Sequence, residues 1–427
     1  MSAASSKRAA SRGRRVVVTG MGAVTPIGND VATYWSNLVS GTSGVRRIEA
    51  FDPARICSQV AGEVRDFDPS AVLDRKEQRR NDRFTQFALV TAAEALRDAS
   101  LPEHLEGELA ERTGSIIGTG FGGSITIADG LGVFTERGPD RMSPFFVPMA
   151  IANLAAGQIS IILGTKGPGF ATVSACASGG HALGEAAETI RRGDADVMLA
   201  GGAEAPVAEA WTAAFCAMRA LSTRNDDPEG ASRPFDTGRD GFVMAEGGAV
   251  LVLEALEHAE ARGVRIHAEL VGYGASMDAS HITLPAPGGE GAARAMRRAI
   301  EKAGLEASDV AHVNAHATST PEGDSAELQA IRSVLGDHAS EVAITANKSM
   351  LGHTLGAAGA IEAVATIKTI TDGCVPPTIN LMDPDPAGEG LDLVSRTARS
   401  GRFDVALSNS FGFGGQNSAV VFRRFEP

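Results

Sequence analysis

The sequence predicts an α/β protein whose sheets are covered by helices. Apolar runs of strand length alternate with helical patterns along the chain, as at residues 16–18, 113–118, 197–200 and 405–408. This alternation is typical of parallel sheets that are buried on both faces. The hydrophobic fraction of 43% and the 50 glycines fit a well-buried fold with many tight turns.

The length of 427 residues exceeds that of an average domain, so two packed units or one large duplicated fold are expected. We place the boundary after a helix that ends at Arg262 and Gly263, which divides the chain into halves at 14–265 and 266–427. A strand followed by a glycine turn occurs in both halves, but this echo alone is too weak to establish a duplication. Residues 1–13 are basic, lack the apolar core of a secretory signal and are predicted to form a disordered tail.

Charge and cysteine content restrict the partners and the compartment. The formal net charge of −13 argues against nucleic acid, because phosphate binding draws on positive surface. No stretch approaches the roughly 18 uninterrupted apolar residues that a membrane span requires. The cysteines at 57, 176, 216 and 374 are widely spaced and contain no Cys-x-x-Cys, which favours a reducing, cytoplasmic environment.

Cys176 is the strongest candidate nucleophile. It follows an apolar, strand-like run at 170–173 and lies in a run of small residues at 175–180. A strand that turns sharply into a helix exposes the first helical side chain to free N–H groups, which predicts a lowered thiol pKa. Considered alone, such a cysteine is more often a small buried hydrophobe.

Two later segments strengthen the assignment. The first contains His316, which follows an apolar strand and precedes several hydroxyl residues. The second contains Lys348 and His353 at the start of a helix rich in glycine and alanine. Each histidine alone is more often a structural hydrogen-bonding group than a catalyst. Together with Cys176 and the glycine-rich segment 409–415, they form one constellation.

The chain resembles the β-ketoacyl-acyl carrier protein synthases, specifically the elongating condensing enzymes, from about residue 14 to 424. The motifs that carry the resemblance are VVVTGMG (16–22), KEQRR (76–80), VSACASG (173–179), GDADV (193–197), ALSTRND (220–226), SRPFD (232–236) and GFGG (412–415). The resemblance implies the thiolase fold, in which two related halves stack as α-β-α-β-α layers. It also implies decarboxylative Claisen condensation of an acyl-cysteine enzyme with malonyl-acyl carrier protein in fatty acid elongation. The implied assembly is a homodimer, and no cofactor or metal is implied.

The resemblance also implies roles for individual residues. Cys176 carries the acyl group, and His316 and His353 donate hydrogen bonds to the malonyl thioester oxygen. Initiating members of the family have asparagine in place of the second histidine, so two histidines indicate an elongating enzyme. Lys348 and Glu362 are expected to form a buried ion pair, and Phe413 is expected to serve as an oxyanion-hole residue and as the gatekeeper. The residues expected to contact the acyl group are Phe121, Phe215, Thr318, Thr320 and Gly414.

Docking of the acidic carrier protein requires a local basic patch, because the net charge of the chain repels it. By resemblance the patch is formed by Lys76, Arg79, Arg80, Arg141 and Arg219. Asp140 precedes Arg141 where a second basic residue is usual, which weakens the contact there. The alternative interpretation of the run at 76–80 is a solvated helix face.

Phe121 is the largest departure from the family pattern. The corresponding position lines the floor of the acyl pocket and is commonly a smaller aliphatic residue, so Phe121 predicts a preference for short or medium acyl chains. Trp211, near Phe215, is a second source of bulk in the acyl pocket.

A thiolase would need a later cysteine as base, and no cysteine follows Cys374. Cys176 argues against a non-catalytic chain-length subunit, but a type II polyketide ketosynthase that pairs with such a subunit stays open.

Overall fold

The computed structural model describes residues 13–426, so the tail predicted for residues 1–13 lies outside the described residues except for Gly13. The strands are β1 (Val16–Val24), β2 (Val45–Arg47), β3 (Val60–Gly62), β4 (Thr113–Gly118), β5 (Gly169–Thr172), β6 (Val197–Glu204), β7 (Gly247–Ala255), β8 (Ala268–Met277), β9 (His312–Asn314), β10 (Ala343–Thr345), β11 (Cys374–Val375), β12 (Asp392–Leu393), β13 (Arg399–Ser400), β14 (Val405–Gly412) and β15 (Gln416–Arg423). The α-helices are α1 (Val31–Val39), α2 (Arg75–Gln78), α3 (Arg83–Asp98), α4 (Gly107–Glu111), α5 (Ser124–Arg137), α6 (Phe146–Ala150), α7 (Leu154–Leu163), α8 (Ser178–Arg191), α9 (Glu209–Ala217), α10 (Leu256–Arg262), α11 (Glu290–Ala303), α12 (Pro321–Leu335), α13 (Lys348–Leu351) and α14 (Ala358–Asp372).

Local sequence signals account for several element ends. Asp82 caps α3 by accepting a hydrogen bond from the backbone N–H of Phe84. The helix α10 ends where Gly263 adopts a left-handed conformation with φ of 64°, at the end predicted from the sequence. β1 and β7 are buried along their whole length, which is why their sequences are almost continuously apolar.

The principal sheet has eleven strands in the order β12-β10-β9-β14-β15-β8-β1-β7-β6-β4-β5. Its two halves meet where β1 pairs with β8 over only two residue pairs, Val17 with Glu269 and Val18 with Ala268. The helices α3 and α7 cover one half, and α11 covers the other. The helix α12 shares a hydrophobic core cluster with strands of that second half. Between them, α8 and α14 each contact strands of both halves, which gives the predicted five layers.

The central helices approach each other closely because glycines face each other. A side chain at Gly359 would lie 2.5 Å from the backbone nitrogen of Gly180, so neither helix could hold its position with a larger residue there. Twelve of the fifteen residues of α14 are buried, in agreement with its alanine-rich, weakly amphipathic sequence.

The expectation of parallel sheets is wrong in part, because the sheet is mixed. β4 pairs in parallel with β5 and β6, and β9 with β10 and β14, whereas β7 pairs antiparallel with β1 and β6, and β15 with β8 and β14. Only residues 413–415 separate β14 from β15, and so short a connection permits antiparallel pairing alone.

Among the described residues, none of the helices is both long and apolar enough to cross a membrane.

Candidate active site

A cavity of about 440 Å³ lies where the two halves meet. The first half contributes Cys176, Phe121 and Phe215 to its lining, and the second half contributes His316, His353 and Phe413, among others. The structure therefore brings together residues that are up to 292 positions apart in the sequence.

Cys176 lies in a strained turn between β5 and α8. Ala175 has a φ of 50°, which is uncommon for a residue with a side chain. The Ser178 hydroxyl holds the turn by donating to the carbonyl of Ala175 at 2.6 Å and accepting from the N–H of Ser174 at 2.8 Å. Cys176 is 9% exposed and lies two residues before the helix, rather than at its first position.

The prediction of a lowered thiol pKa is wrong. Burial raises the pKa of Cys176 to about 12, although the charge of Lys348 and a hydrogen bond from the backbone N–H of Phe413 act in the opposite direction. The penalty for a charge in a site closed to water exceeds these contributions. The resting cysteine is therefore a thiol, and its proton must leave during acylation.

The two histidine rings line the cavity and are in edge-to-face contact with each other. The ring centroids of His316 and His353 are 5.3 Å apart at an interplanar angle of 85°. Burial first, and the charge of Lys348 second, lower the pKa of both imidazoles well below the usual range, so both are neutral at pH 7. Neither ring nitrogen of His353 has a hydrogen-bond partner in the part of the chain that the structure describes, and the same is true of Nδ1 of His316.

Lys348 and Glu362 form a fully buried ion pair, as the sequence predicted, between Nζ and Oε1. Each side chain is 1% exposed, and burial raises the pKa of the carboxyl to about 7. Asn314 and Asn347 lie beside the pair and are joined by a hydrogen bond of 2.7 Å.

Among residues 13–426, groups of three or more His, Cys, Asp or Glu side chains that could hold a metal ion are absent.

Sequence reasoning missed Glu327, which orients one of the histidines. Its carboxylate accepts hydrogen bonds from the backbone N–H groups of His316 at 2.9 Å and Ala317 at 2.7 Å. The side-chain amide of Asn409 donates to the same carboxylate at 3.0 Å. Glu327 lies on the amphipathic α12, where an acidic residue is ordinary, so nothing in the sequence distinguishes it.

Phe413 occupies the tight turn that connects β14 to β15. Its backbone N–H points to the sulfur of Cys176. A side chain at Gly412 would lie 2.7 Å from the carbonyl of Ser174 and 3.1 Å from the nitrogen of Cys176, so glycine is needed for the turn to approach this closely. The N–H groups of Cys176 and Phe413 thus come together, and Gly414 follows with a φ of 82°.

One end of the cavity is aromatic. The rings of Phe121 and Phe215 have centroids 6.1 Å apart, and those of Phe215 and Phe242 are 5.3 Å apart. Phe242 then packs against His353 at 5.5 Å. This series of rings connects the predicted pocket floor to the second histidine.

Of the remaining predicted substrate-contacting residues, the two threonines lie along the same cavity, whereas Gly414 does not line it and is exposed in the turn after Phe413. Thr318 and Thr320 both line it, and their hydroxyl oxygens are 3.1 Å apart. Arg219 also lines it, and is the one predicted docking residue that does so. It is exposed, as expected for a residue at the opening.

The other predicted docking residues lie on neighbouring surface segments. Lys76 and Arg79 are exposed on and just after α2, and Arg141 is exposed in a short turn of helix. The guanidinium of Arg80 lies 4.7 Å from the ring centroid of Phe145, which connects these two segments. Arg80 is half-buried by this contact, so it is less available to a partner than Lys76 or Arg79.

Comparison with known proteins agrees with this geometry. Residues 13–259 match the N-terminal domain of β-ketoacyl synthases, and residues 267–382 match their C-terminal domain. The chain is 50% identical, over 97% of its length and 100% of the relative's, to 3-oxoacyl-[acyl-carrier-protein] synthase 2 of Staphylococcus aureus strain N315.

Two solved structures show the same fold over the whole chain. A β-ketoacyl synthase from Burkholderia phymatum has a TM-score of 0.90 and 39% identity, covering 97% of this chain and 100% of its own. A type II polyketide ketosynthase, solved with its acyl-carrier protein and bound to the hexaketide, has a TM-score of 0.88 and 36% identity at the same coverage. A match that extends over both halves of the chain, with a cysteine and two histidines in one cavity between them, shows that the chain belongs to the β-ketoacyl synthase family.

Proposed function

We infer that this chain is a condensing enzyme that joins an acyl group on Cys176 to malonyl-acyl carrier protein. The products are 3-oxoacyl-acyl carrier protein, carbon dioxide and free carrier protein. The observation that carries the proposal is a buried thiol that shares one cavity with two neutral imidazoles. Within residues 13–426, each imidazole has at least one ring nitrogen without a hydrogen-bond partner. Neutral imidazoles offer both a donor and an acceptor, which this sequence of steps needs.

In the first step the sulfur of Cys176 attacks the thioester carbonyl of the acyl-carrier protein. The carbon–sulfur bond to the carrier breaks, and the thiol proton leaves with the carrier's sulfur. A neutral imidazole is suited to relay this proton, because Cys176 is not ionised at rest. The converging N–H groups of Cys176 and Phe413 stabilise the oxyanion that forms during the attack.

In the second step the malonyl group loses carbon dioxide, and negative charge develops on its thioester oxygen. His316 and His353 donate hydrogen bonds to that oxygen. The resulting enolate carbon attacks the acyl carbonyl, and the thiolate of Cys176 leaves. Lys348 supports this step by keeping both imidazoles neutral, since its charge disfavours a second positive charge nearby.

We assign fatty acid elongation as the pathway. The identity of 50% to a curated 3-oxoacyl-[acyl-carrier-protein] synthase exceeds the 36% to the polyketide ketosynthase. Phe121 at the aromatic end favours short or medium acyl chains, with Phe215, Thr318 and Thr320 as further contacts. Phe413 acts as the gatekeeper, because the turn that carries it is short and flanked by glycines.

We propose an acidic acyl carrier protein as the partner, by analogy with the ketosynthase that was solved with its own carrier. Lys76, Arg79, Arg80 and Arg141 supply a local positive surface, and Arg219 lies at the opening of the cavity. The four unpaired cysteines support a reducing, cytoplasmic location.

We propose a homodimer that forms through β5. This strand is the last one at its edge of the described sheet, and such an edge is a template for pairing with a second chain. Eight large apolar side chains between residues 131 and 173 are exposed, namely Leu131, Phe134, Phe145, Val147, Ile151, Ile161, Phe170 and Val173. Light scattering of the purified chain measures the mass, and a monomer that pairs only with a chain-length subunit would support the polyketide alternative.

The central experiment follows the two half-reactions separately. An acyl thioester should add one acyl group at Cys176, detected by mass spectrometry, and malonyl-acyl carrier protein should then release carbon dioxide and the 3-oxoacyl product. Cys176→Ala should abolish both acylation and condensation while leaving the fold intact. Acylation of Cys57, Cys216 or Cys374 instead would overturn the assignment of the nucleophile.

A further inference from the structure

The ring of Phe121 is held in place by a residue outside the cavity. The indole of Trp211 packs on it with a centroid distance of 4.6 Å and an interplanar angle of 36°. Trp211 does not line the cavity but lies behind Phe121. Its Nε1 donates a hydrogen bond of 3.0 Å to the carbonyl of Ser124, which fixes the indole against the start of α5.

Trp211 and Phe215 enclose Phe121 together. They lie four residues apart on α9 and therefore on the same face of the helix. Phe215 is buried and meets Phe121 edge to face. A Phe121 side chain that moves towards α9 would collide with the indole, which cannot yield without losing its own hydrogen bond.

The backbone of Phe121 is held separately, by Glu204 at the end of β6. Its fully buried carboxylate accepts hydrogen bonds from the N–H groups of Phe121 at 3.1 Å and Gly356 at 3.0 Å, and from the hydroxyl of Thr119 at 2.9 Å. The N–H of Gly120 also donates to it. Movement of this loop would leave several buried polar groups unsatisfied, which is costly.

We propose that Trp211 and Glu204 are positioning residues that immobilise Phe121, one through its ring and the other through its backbone. They thereby disfavour long acyl groups on Cys176, because they make it costly for Phe121 to move aside. This inference rests on the proposed acylation of Cys176 but not on the condensation step.

The test measures acylation of Cys176 alone. Intact-mass spectrometry gives the acylation rates with six-carbon and sixteen-carbon acyl-pantetheine thioesters, in the absence of malonyl substrate. Trp211→Ala should raise the ratio of the long-chain rate to the short-chain rate about tenfold, as expected for the loss of one aromatic pair. The six-carbon rate should stay unchanged. Trp211→Phe, which keeps an aromatic ring behind Phe121, should raise the ratio much less.

A double-mutant cycle separates positioning from bulk. If Trp211 acts through Phe121, then adding Trp211→Ala to Phe121→Ala should change the ratio less than about twofold. An equal effect in both backgrounds would overturn the proposal, because Trp211 would then be an independent wall of the pocket. An unchanged ratio in the single variant would overturn it as well.

Fluorescence provides a second measurement if Trp211→Ala fails to fold. The chain has two tryptophans, so Trp35→Phe leaves Trp211 as the single indole reporter. Loading the sixteen-carbon group should change the Trp211 emission, because Phe121 must leave its face, whereas loading the six-carbon group should not. The same emission after both loadings would contradict the proposal.

Glu204→Gln tests the hold on the backbone. The amide group places N–H donors against the N–H donors of the loop, so the ratio of rates should again rise. Glu254→Gln is the matched control, because Glu254 is a fully buried carboxylate on β7 that bonds to Thr19 and His258 away from the cavity. Equal changes in both variants would mean general destabilisation and would overturn the role of Glu204. If the unmodified chain takes no acyl group of any length on Cys176, the proposed function itself fails.

Discussion

The two ends of the cavity are built by different physical means. At the catalytic end, His316 and Lys348 are positioned by hydrogen bonds and charge, through Glu327 and Glu362 respectively. At the aromatic end, Phe121 and Phe215 are positioned mainly by ring packing. The two histidines and the lysine come from the second half of the chain, whereas the aromatic end, like Cys176, comes from the first.

This difference separates chemistry from chain-length selection. A polar network in a site closed to water is sensitive to the loss of any member, because each loss leaves a buried group unsatisfied. An aromatic wall tolerates substitution and responds by changing its shape. Changes at one end should therefore leave the function of the other end largely intact, and the following predictions test that separation.

The largest expected effect is on stability at the catalytic end. Lys348→Met leaves Glu362 buried without a cation and should lower the free energy of unfolding by about 3 to 5 kcal/mol, measured by urea denaturation. The double variant Lys348→Met, Glu362→Gln should recover much of this loss. Removal of the exposed pair through Arg192→Met should cost less than about 1 kcal/mol.

The same variant should show a pH dependence with a defined sign. Burial raises the pKa of Glu362 to about 7 even with Lys348 present, whereas the carboxyl has a pKa near 4.5 in the unfolded chain. The folded variant therefore binds a proton on Glu362 more tightly than the unfolded variant does. Stability should therefore fall as the pH rises from about 4.5 through 7. Stability that rises over this range would show that Glu362 is not the group left uncompensated.

The histidines should give the next largest effect. His353→Ala or His316→Ala should slow malonyl decarboxylation by about 10² to 10³, the usual cost of removing one donor to a developing oxyanion, while Cys176 still accepts the same acyl chain lengths. His353→Asn keeps an N–H donor and should retain more activity than His353→Ala. His312 is a buried histidine on β9 that bonds to the carbonyl of Ala343 at 2.8 Å, so His312→Gln is the control and should leave decarboxylation by the folded protein unchanged.

Phe121 should affect selection and not chemistry. Phe121→Ile or Phe121→Ala should relax the preference for short chains by tens to hundreds of fold, since each methylene left unburied forfeits roughly 0.8 kcal/mol. The measurement is the ratio of condensation rates on six-carbon and sixteen-carbon primers. A wild-type enzyme that extends both primers at the same rate would show that the aromatic end does not select chain length.

The smallest effect is expected at the docking surface, which lies outside both ends. Lys76→Glu and Arg79→Glu should each raise KM for carrier-bound substrates by an amount that corresponds to about 1 kcal/mol, and this increase should depend markedly on salt. The KM for small thioesters should barely change. Arg80 is a poorer choice, because its reversal also removes packing on Phe145. Arg402→Glu, at an arginine that is 70% exposed on another segment, serves as the control. Equal losses for both substrate types would argue against docking at this surface.

The sequence by itself determined the fold class, the principal strands and the pairing of Lys348 with Glu362. These follow from local patterns and from several motifs in a fixed order. Both kinds of signal can be read from the linear sequence without knowledge of tertiary contacts. The strands predicted at 113–118 and 405–408 lie in β4 and β14 because apolar runs between turn residues have few other conformations open to them.

Only the tertiary structure decided the electrostatics and the packing of the site. The thiol pKa of Cys176 depends on how completely water is excluded, and that requires residues from both halves of the chain. Glu327 and Glu204 look like ordinary acidic residues in sequence, and their buried hydrogen bonds exist only once distant loops meet them. From the sequence, Trp211 was only a second source of bulk near Phe215. Its packing behind Phe121 depends on the fold, which brings α9 and the loop after β4 together.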